Sequence, residues 1–282
     1  MNKLIISLLI FSAGCQNKNI KFLGGELSKS LDEVSGAETT VNSDYIWMLN
    51  DGGNSPKLYG VSAKGNIKEE IKIDAKNHDW EDLTSDEEGN LYIGDFGNND
   101  SKRKNLAILK VKKTALNDKG KVDIDRISFS YPNQEKFPPK NKNLYFDCEA
   151  FFYHNNNFYL FTKSRVKNDF GKTSLYKVPA KKGKHVAELL GTFNTCSDMD
   201  CWITSADISN NGKSIVLLSP KSVWVFTDFK GDDFFNGTSK EIPLDGRVSQ
   251  KESICFKDNN TLYITDEKAH GSDGNLYEFS LN

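Results

Sequence analysis

Residues 79–95 read DWEDLTSDEEGNLYIGD, and this stretch decides the fold. An acidic residue, Glu81, follows a tryptophan, a polar turn with Gly89 follows, and then the run Leu91-Tyr92-Ile93 alternates faces. That order of turn signals and β-rich residues is a strand, a tight turn and a second strand. The pattern returns as SGAETTVNSDYIWMLND from Ser35, DCEAFFYHNNNFYLFTK from Asp147, TSADISNNGKSIVLLS from Thr204 and KESICFKDNNTLYITDE from Lys251. Each copy opens with an acid: Glu38, Glu81, Glu149, Asp207 and Glu252. From that acid to the centre of the second strand (Trp47, Tyr92, Tyr159, Val216, Tyr263) is 9 to 11 positions.

A third strand follows every copy, at LYGV from Leu58, AILKV from Ala107, LYKV from Leu175, VWVF from Val223 and LYEF from Leu276. Four copies add a fourth strand, at residues 67–73, 124–131, 186–193 and 239–244. The last copy ends with the chain, and residues 20–27 supply its missing outer strand. Repeats of this kind at a period of roughly 50 residues cannot bury their faces alone and stack into a ring. The expectation is an all-β chain, a β-propeller of five four-stranded blades closed by the N-terminal strand. Six blades follow instead if the lysine-rich insertion 112–143, with Pro132, Pro138 and Pro139, hides a degenerate unit.

The chain has 282 residues, 37% of them hydrophobic, and a net charge of −2. That is enough for a real core, and it leaves no basic footprint for nucleic acid. A mean hydropathy of −0.56 excludes a multi-span helical membrane protein.

The N-terminus, MNKLIISLLIFSAGC, sets Lys3 before a short apolar run and the small residues Ser12, Ala13 and Gly14 before Cys15. This is the order of an export signal. Ser-Ala-Gly-Cys resembles the bacterial lipoprotein box, with Ser12 where leucine is usual. The resemblance implies a signal peptide at 1–14, a lipid on Cys15, a tether at 15–19 and the propeller at 20–282. It also implies an outer-membrane location, on the periplasmic side or the cell surface. An ordinary signal peptide with an incidental cysteine is the alternative. An exported compartment permits disulfides, and Cys196 and Cys201 are close enough in sequence to pair. Cys148 and Cys255 read as buried, inert side chains.

In a propeller the first strand of each blade lines the axis, so the five repeat-initial acids are expected at one mouth of the channel, with Asp82 able to join them. Loops between second and third strands should bring Asp51, Asp95, Lys163, Arg165 and Glu267 over the same mouth as ligand-binding residues. Carboxylates about 4 Å apart repel by about 4 kcal/mol at an effective dielectric near 20, so some protonate or a cation sits among them. Oxygen donors without histidine or thiol select a hard ion, and Ca²⁺ fits best. The metal set is therefore Glu38, Glu81, Glu149, Asp207 and Glu252. Any single acid is as well explained as a loop cap, and five at equivalent positions favour the ion. His78 and His270 stand beside acids and are candidate bases, as is Glu81.

The strings LNDGGNSPKLYGV, DWEDLTSDEEGNLYIGDFGNN and KESICFKDNNTLYITDE resemble a group of secreted Bacteroidetes β-propellers with NDSG, DWED and YIGD patterns. Glu81, Glu149 and Glu252 are also similar to the blade openings of SdiA-regulated and phytase-like propellers, without their glycine. Glu149 with Lys163 and Arg165 is similar to the acid and basic pair of calcium-activated nucleotidases. These resemblances imply an envelope lipoprotein whose propeller holds Ca²⁺ and presents a face to a small anionic ligand or a protein. The alternative they imply is a calcium-dependent hydrolase of phosphoesters or lactones, with Lys163 and Arg165 on the anion and Glu81 or His270 activating water.

Overall fold

In the computed structural model, which describes residues 20–282 apart from 42, 118–119, 245–248 and 269–273, the five repeats form five sheets. Blade 1 comprises Val34–Thr39, Ile46–Asn50, Lys57–Val61 and Ile67–Ile73, and blade 2 Trp80–Ser85, Leu91–Asp95, Ala107–Val111 and Asp125–Ser130. Blade 3 comprises Asp147–His154, Asn157–Lys163, Lys172–Pro179 and Glu188–Asn194, and blade 4 Ser205–Ile208, Ser214–Leu218, Ser222–Thr227 and Thr238–Pro243. Blade 5 is Lys251–Asp258, Thr261–Asp266, Asn275–Ser280 and the N-terminal strand Ile20–Glu26, which pairs antiparallel with Asn275–Ser280. The inner strands touch in succession, and the fifth touches the first. The fold is a five-bladed β-propeller.

The insertion contains no sixth blade. Its residues Asp125–Ser130 are the outer strand of blade 2, and Lys121–Val122 adds a short parallel strand to blade 1. Gly183–Val186, from the next blade, pairs parallel with Asp125–Ser130. Two blades therefore have five strands, which the four-strand reading missed because a two- or four-residue edge carries almost no periodic signal.

Inner strands are buried along most of their length and outer strands are largely exposed, as in Thr238–Pro243. The apolar residues fall into five clusters, one at each contact between neighbouring blades. Between blades 3 and 4, for example, Phe152, Phe161 and Phe234 are fully buried, and each such side chain contributes about 1.5–3 kcal/mol.

An inner strand has a free edge on the axis, and its backbone groups there need partners. Side chains of neighbouring blades supply them. Asp82 accepts from Phe151 N–H at 3.2 Å and Thr84 from Tyr153 N–H at 3.1 Å. Ser205 accepts from Ile254 N–H at 3.1 Å, and Asp207 from Phe256 N–H at 2.6 Å. Asp82 also receives the Ser205 hydroxyl at 3.2 Å. Blades 2 and 4 are not neighbours, so this contact crosses the axis and separates one mouth from the other.

Candidate functional site

Four inner strands carry a β-bulge near their first residues, where the inner strand has one residue more than its partner. A single residue is skipped in blades 1, 3 and 5, and Glu81 with Asp82 lies opposite Gly94 in blade 2. The extra residue has no partner across the ladder, and its side chain is re-aimed. Glu149 and Glu252 occupy it in blades 3 and 5, Glu81 in blade 2 and Ser35 in blade 1. Blade 4 has Thr204 at this level, whose N–H bonds Leu218 C=O.

The five acids expected at one mouth are consequently divided. Glu38 pairs with Trp47 and Asp207 with Val216. In the other blades the residues paired with Tyr92, Tyr159 and Tyr263 are Thr84, Phe152 and Cys255, three positions beyond the acids. Three strand residues are roughly 10 Å. Glu81, Glu149 and Glu252 line the upper mouth, and Glu38 and Asp207 line the lower.

At the upper mouth one carboxylate oxygen from each of Asp51, Asp79 and Glu81 lies within 4.8 Å of the others. Asp51 and Gly52 follow the second strand of blade 1, and Asp79 and Glu81 open blade 2. Asn77 fastens the two segments, donating to Asn50 C=O at 3.2 Å and Asp51 C=O at 2.8 Å. Glu81 is 6% exposed, and no hydrogen-bond or ion-pair partner among the described residues reaches it. Burial, and then Glu149 and Asp51, push its carboxyl well above the usual range. Burial and Asp51 push Asp79 to about 6, and burial and Glu252 push Glu267 to about 7.

Asp147 and Glu149, beside this trio, are neutralised from within. Arg165 Nε lies 2.6 Å from Asp147, and its terminal nitrogen 3.1 Å from Glu149. Lys163 Nζ is 3.1 Å from Glu149. Both bases lie over the Trp202 ring, at 5.0 and 4.9 Å. Trp202 follows the loop closed by the Cys196–Cys201 disulfide and donates to Ser164 C=O at 2.6 Å. Lys163 and Arg165, expected over the mouth as ligand-binding residues, lie there paired with these two acids.

Asp95, expected as a ligand residue, is fully buried, held by Arg103 at 2.8 Å and His78 Nδ1 at 3.2 Å. Trp80 is core. Glu267 is partly exposed, and its carboxyl interacts with Glu252 and Asp51. His270, Cys15, the 1–14 signal and the 15–19 tether lie outside the described residues.

Asp79 and Asp147 are the acids that the sequence reading left out. Their signal was present, since both stand two residues ahead of a repeat-initial glutamate, in DWE and DCE. Gly52 and Gly97 also shape the trio, and nothing in the sequence pattern singles them out. A Cβ on either would overlap an Asp79 or Glu81 carboxylate.

The lower mouth opens into a cleft of about 470 Å³ lined by Glu38, Asp207, Tyr153, His154 and the turn residues Asn210 and Asn211. Burial, and then Asp207 and Asp82, raise the Glu38 carboxyl, and burial pushes Asp207 to about 7. The carboxylate of Asp207 is occupied by Phe256 and Ile208 N–H.

No family model matches the chain. No curated protein sequence matches it. Among solved structures it is similar to a gluconolactonase from Xanthomonas campestris, at 11% identity, TM-score 0.51, covering 93% of this chain and 89% of that one. It is also similar to PQQ-bound aldose sugar dehydrogenase from Streptomyces coelicolor, at 10% identity, TM-score 0.52, covering 93% and 97%. Virginiamycin B lyase from Staphylococcus aureus matches at 14% identity and TM-score 0.42, and the match covers 88% of this chain but only 66% of the lyase. At these identities the likeness is one of fold, and function has to be argued from the site.

Proposed function

We propose that this chain is an exported propeller lipoprotein whose upper mouth binds a divalent cation, Ca²⁺, through Asp51, Asp79 and Glu81, and presents the surrounding face to a ligand or partner protein. The observation that carries this reading is Glu81, a buried carboxyl with no partner among the described residues, beside two further carboxylates. Ca²⁺ holds oxygens at 2.3–2.6 Å, so two ligands of one ion are at most about 5 Å apart. The 4.8 Å limit on the trio fits that geometry. An all-oxygen donor set favours a hard ion over zinc or copper. Glu149 and Glu252 stand at its margin, while Glu38 and Asp207 belong to the other mouth.

A cation that binds only the native state stabilises it by about 2.7 kcal/mol at 100 times its dissociation constant, or roughly 5–10 °C for a chain of this size. Calcium should raise the melting temperature of wild type by that amount, and chelator should reverse it. The increment should vanish in Glu81→Gln and persist in Glu38→Gln and in Glu87→Gln on the far face. An equal increment in all four proteins would reduce the trio to loop caps. The lipid anchor has its own test: a palmitate analogue should label wild type but not Cys15→Ser.

A second reading, a calcium-dependent hydrolase, is favoured by Glu267. Its carboxyl, pushed to about 7, can take a proton from water near neutral pH, while the cation polarises a substrate oxygen. Turnover of esters, lactones or phosphoesters that chelator abolishes would support it.

A further inference from the structure

We infer that the upper mouth selects an uncharged, hydroxyl-rich ligand and excludes anions. This rests on the cation reading above and deepens it.

Charge is the first argument. Seven carboxyls, Asp51, Asp79, Glu81, Asp147, Glu149, Glu252 and Glu267, interact with one another there. The bases among them are Lys163 and Arg165, already bonded to Glu149 and Asp147 at 2.6–3.1 Å. Arg103, at the edge, is paired with buried Asp95. With Asp51, Asp79 and Glu81 ionised on the cation and Asp147 and Glu149 ionised on the two bases, five carboxylates already exceed the four positive charges, before Glu252 and Glu267 are counted. An entering phosphate therefore meets net negative charge, and Lys163, Arg165 and Arg103, the bases near these acids among the described residues, are already paired.

Hydrogen bonding is the second argument. Arg103 and Lys163 act on Asp79 and Glu267 through charge, but no hydrogen bond from the described residues reaches the carboxyls of Asp79, Glu81 or Glu267. A carboxylate is acceptor-only, so this wall needs donors from the ligand. The cation needs the reverse: Ca²⁺ takes 6–8 oxygens, more than three carboxylates fill when some bind through one atom. A hydroxyl group meets both needs, with its proton given to a carboxylate and its lone pair to the cation. A phosphate or carboxylate ligand offers lone pairs alone. A protonated amine offers donors alone.

The test is isothermal titration of calcium-saturated protein with matched probes: glucose, glucose 6-phosphate and glucosamine, then sorbitol and sorbitol 6-phosphate. At least one neutral compound should bind, and its phosphate should bind at least 10-fold more weakly. In Asp147→Asn, which releases one partner of Arg165, that disfavour should shrink, and a melting curve on the variant checks that it is folded. A phosphate that binds wild type as well as its parent overturns the inference. So does glucosamine binding without glucose, or a set in which no neutral compound binds. A calcium titration without sugar separates the two levels. If Ca²⁺ binds wild type and not Glu81→Gln while the sugar arms fail, only the ligand class is wrong. If Ca²⁺ does not bind wild type, both readings fall.

Discussion

Gly97 is where a single atom decides whether the upper mouth can hold an ion. Its φ is not in the left-handed region, so backbone freedom is not the reason for glycine. Space is. A Cβ would overlap Glu81 Oε1 and lie 2.6 Å from Asp79 Cγ. Gly97→Ala should push both carboxylates off their positions and lower calcium affinity at least 10-fold, measured as loss of the calcium-dependent rise in melting temperature. Gly120→Ala, where a Cβ meets nothing within 4 Å, should keep the full rise. Retained calcium response in Gly97→Ala would move the ion away from Asp79 and Glu81. The same crowding gives physical content to the neighbouring pattern DGG at 51–53, since Gly52 lies against Asp79.

The N-terminal strand of blade 5 tests ring closure. Ile20–Glu26 covers the edge of Asn275–Ser280, and Ile20 and Leu23 pack on the clusters that join blade 5 to its neighbours. Deleting residues 20–26 bares that edge, a template for pairing with another chain. The deleted protein should oligomerise or melt lower, by size-exclusion chromatography and thermal melting, and an unchanged monomer would contradict closure. This strand was legible in the sequence because the fifth copy lacks an outer strand and the chain begins with one to spare. The third and fourth strands were legible for a similar reason: short apolar runs between turn signals. The division of the acids was not. The separation from acid to strand centre, 9 for Glu38 and Asp207 but 10 or 11 for the others, looked like scatter in turn length. Hairpins here pair residues 7 to 9 apart, so that small difference hid a three-residue offset and a change of mouth. A bulge leaves no period of its own, and only the ladder reveals it.

Taken whole, the molecule keeps buried carboxyls at both ends of one channel, and this fixes how its stability depends on pH. Burial raises Glu38, Asp207 and Glu81, with Asp207 near 7. Such groups hold protons in the folded chain that the unfolded chain has released, so stability falls as pH rises from the unfolded value near 4 through the folded one. The carboxyls lowered by their partners, Asp86, Asp125 and Asp232, act in the opposite sense but only below their ordinary value of 3.8. Between pH 5 and 8 His154, lowered by burial, adds stability as pH rises toward its ordinary 6.5, and the raised carboxyls outnumber it. Calcium-free protein should therefore melt lower at pH 8 than at pH 5. The two mouths are separated by the Asp82–Ser205 contact, and well-separated sites add. Glu38→Gln should flatten the slope by removing a lower-mouth carboxyl, and calcium should flatten it by holding the upper ones ionised. Both together should flatten it by the sum. Melting temperatures of wild type and Glu38→Gln across pH 5–8, with calcium and with chelator, check all four cases. A calcium-free slope that rises with pH would mean these carboxyls are not held protonated, and a calcium effect that disappears in Glu38→Gln would mean the ion sits at the lower mouth instead.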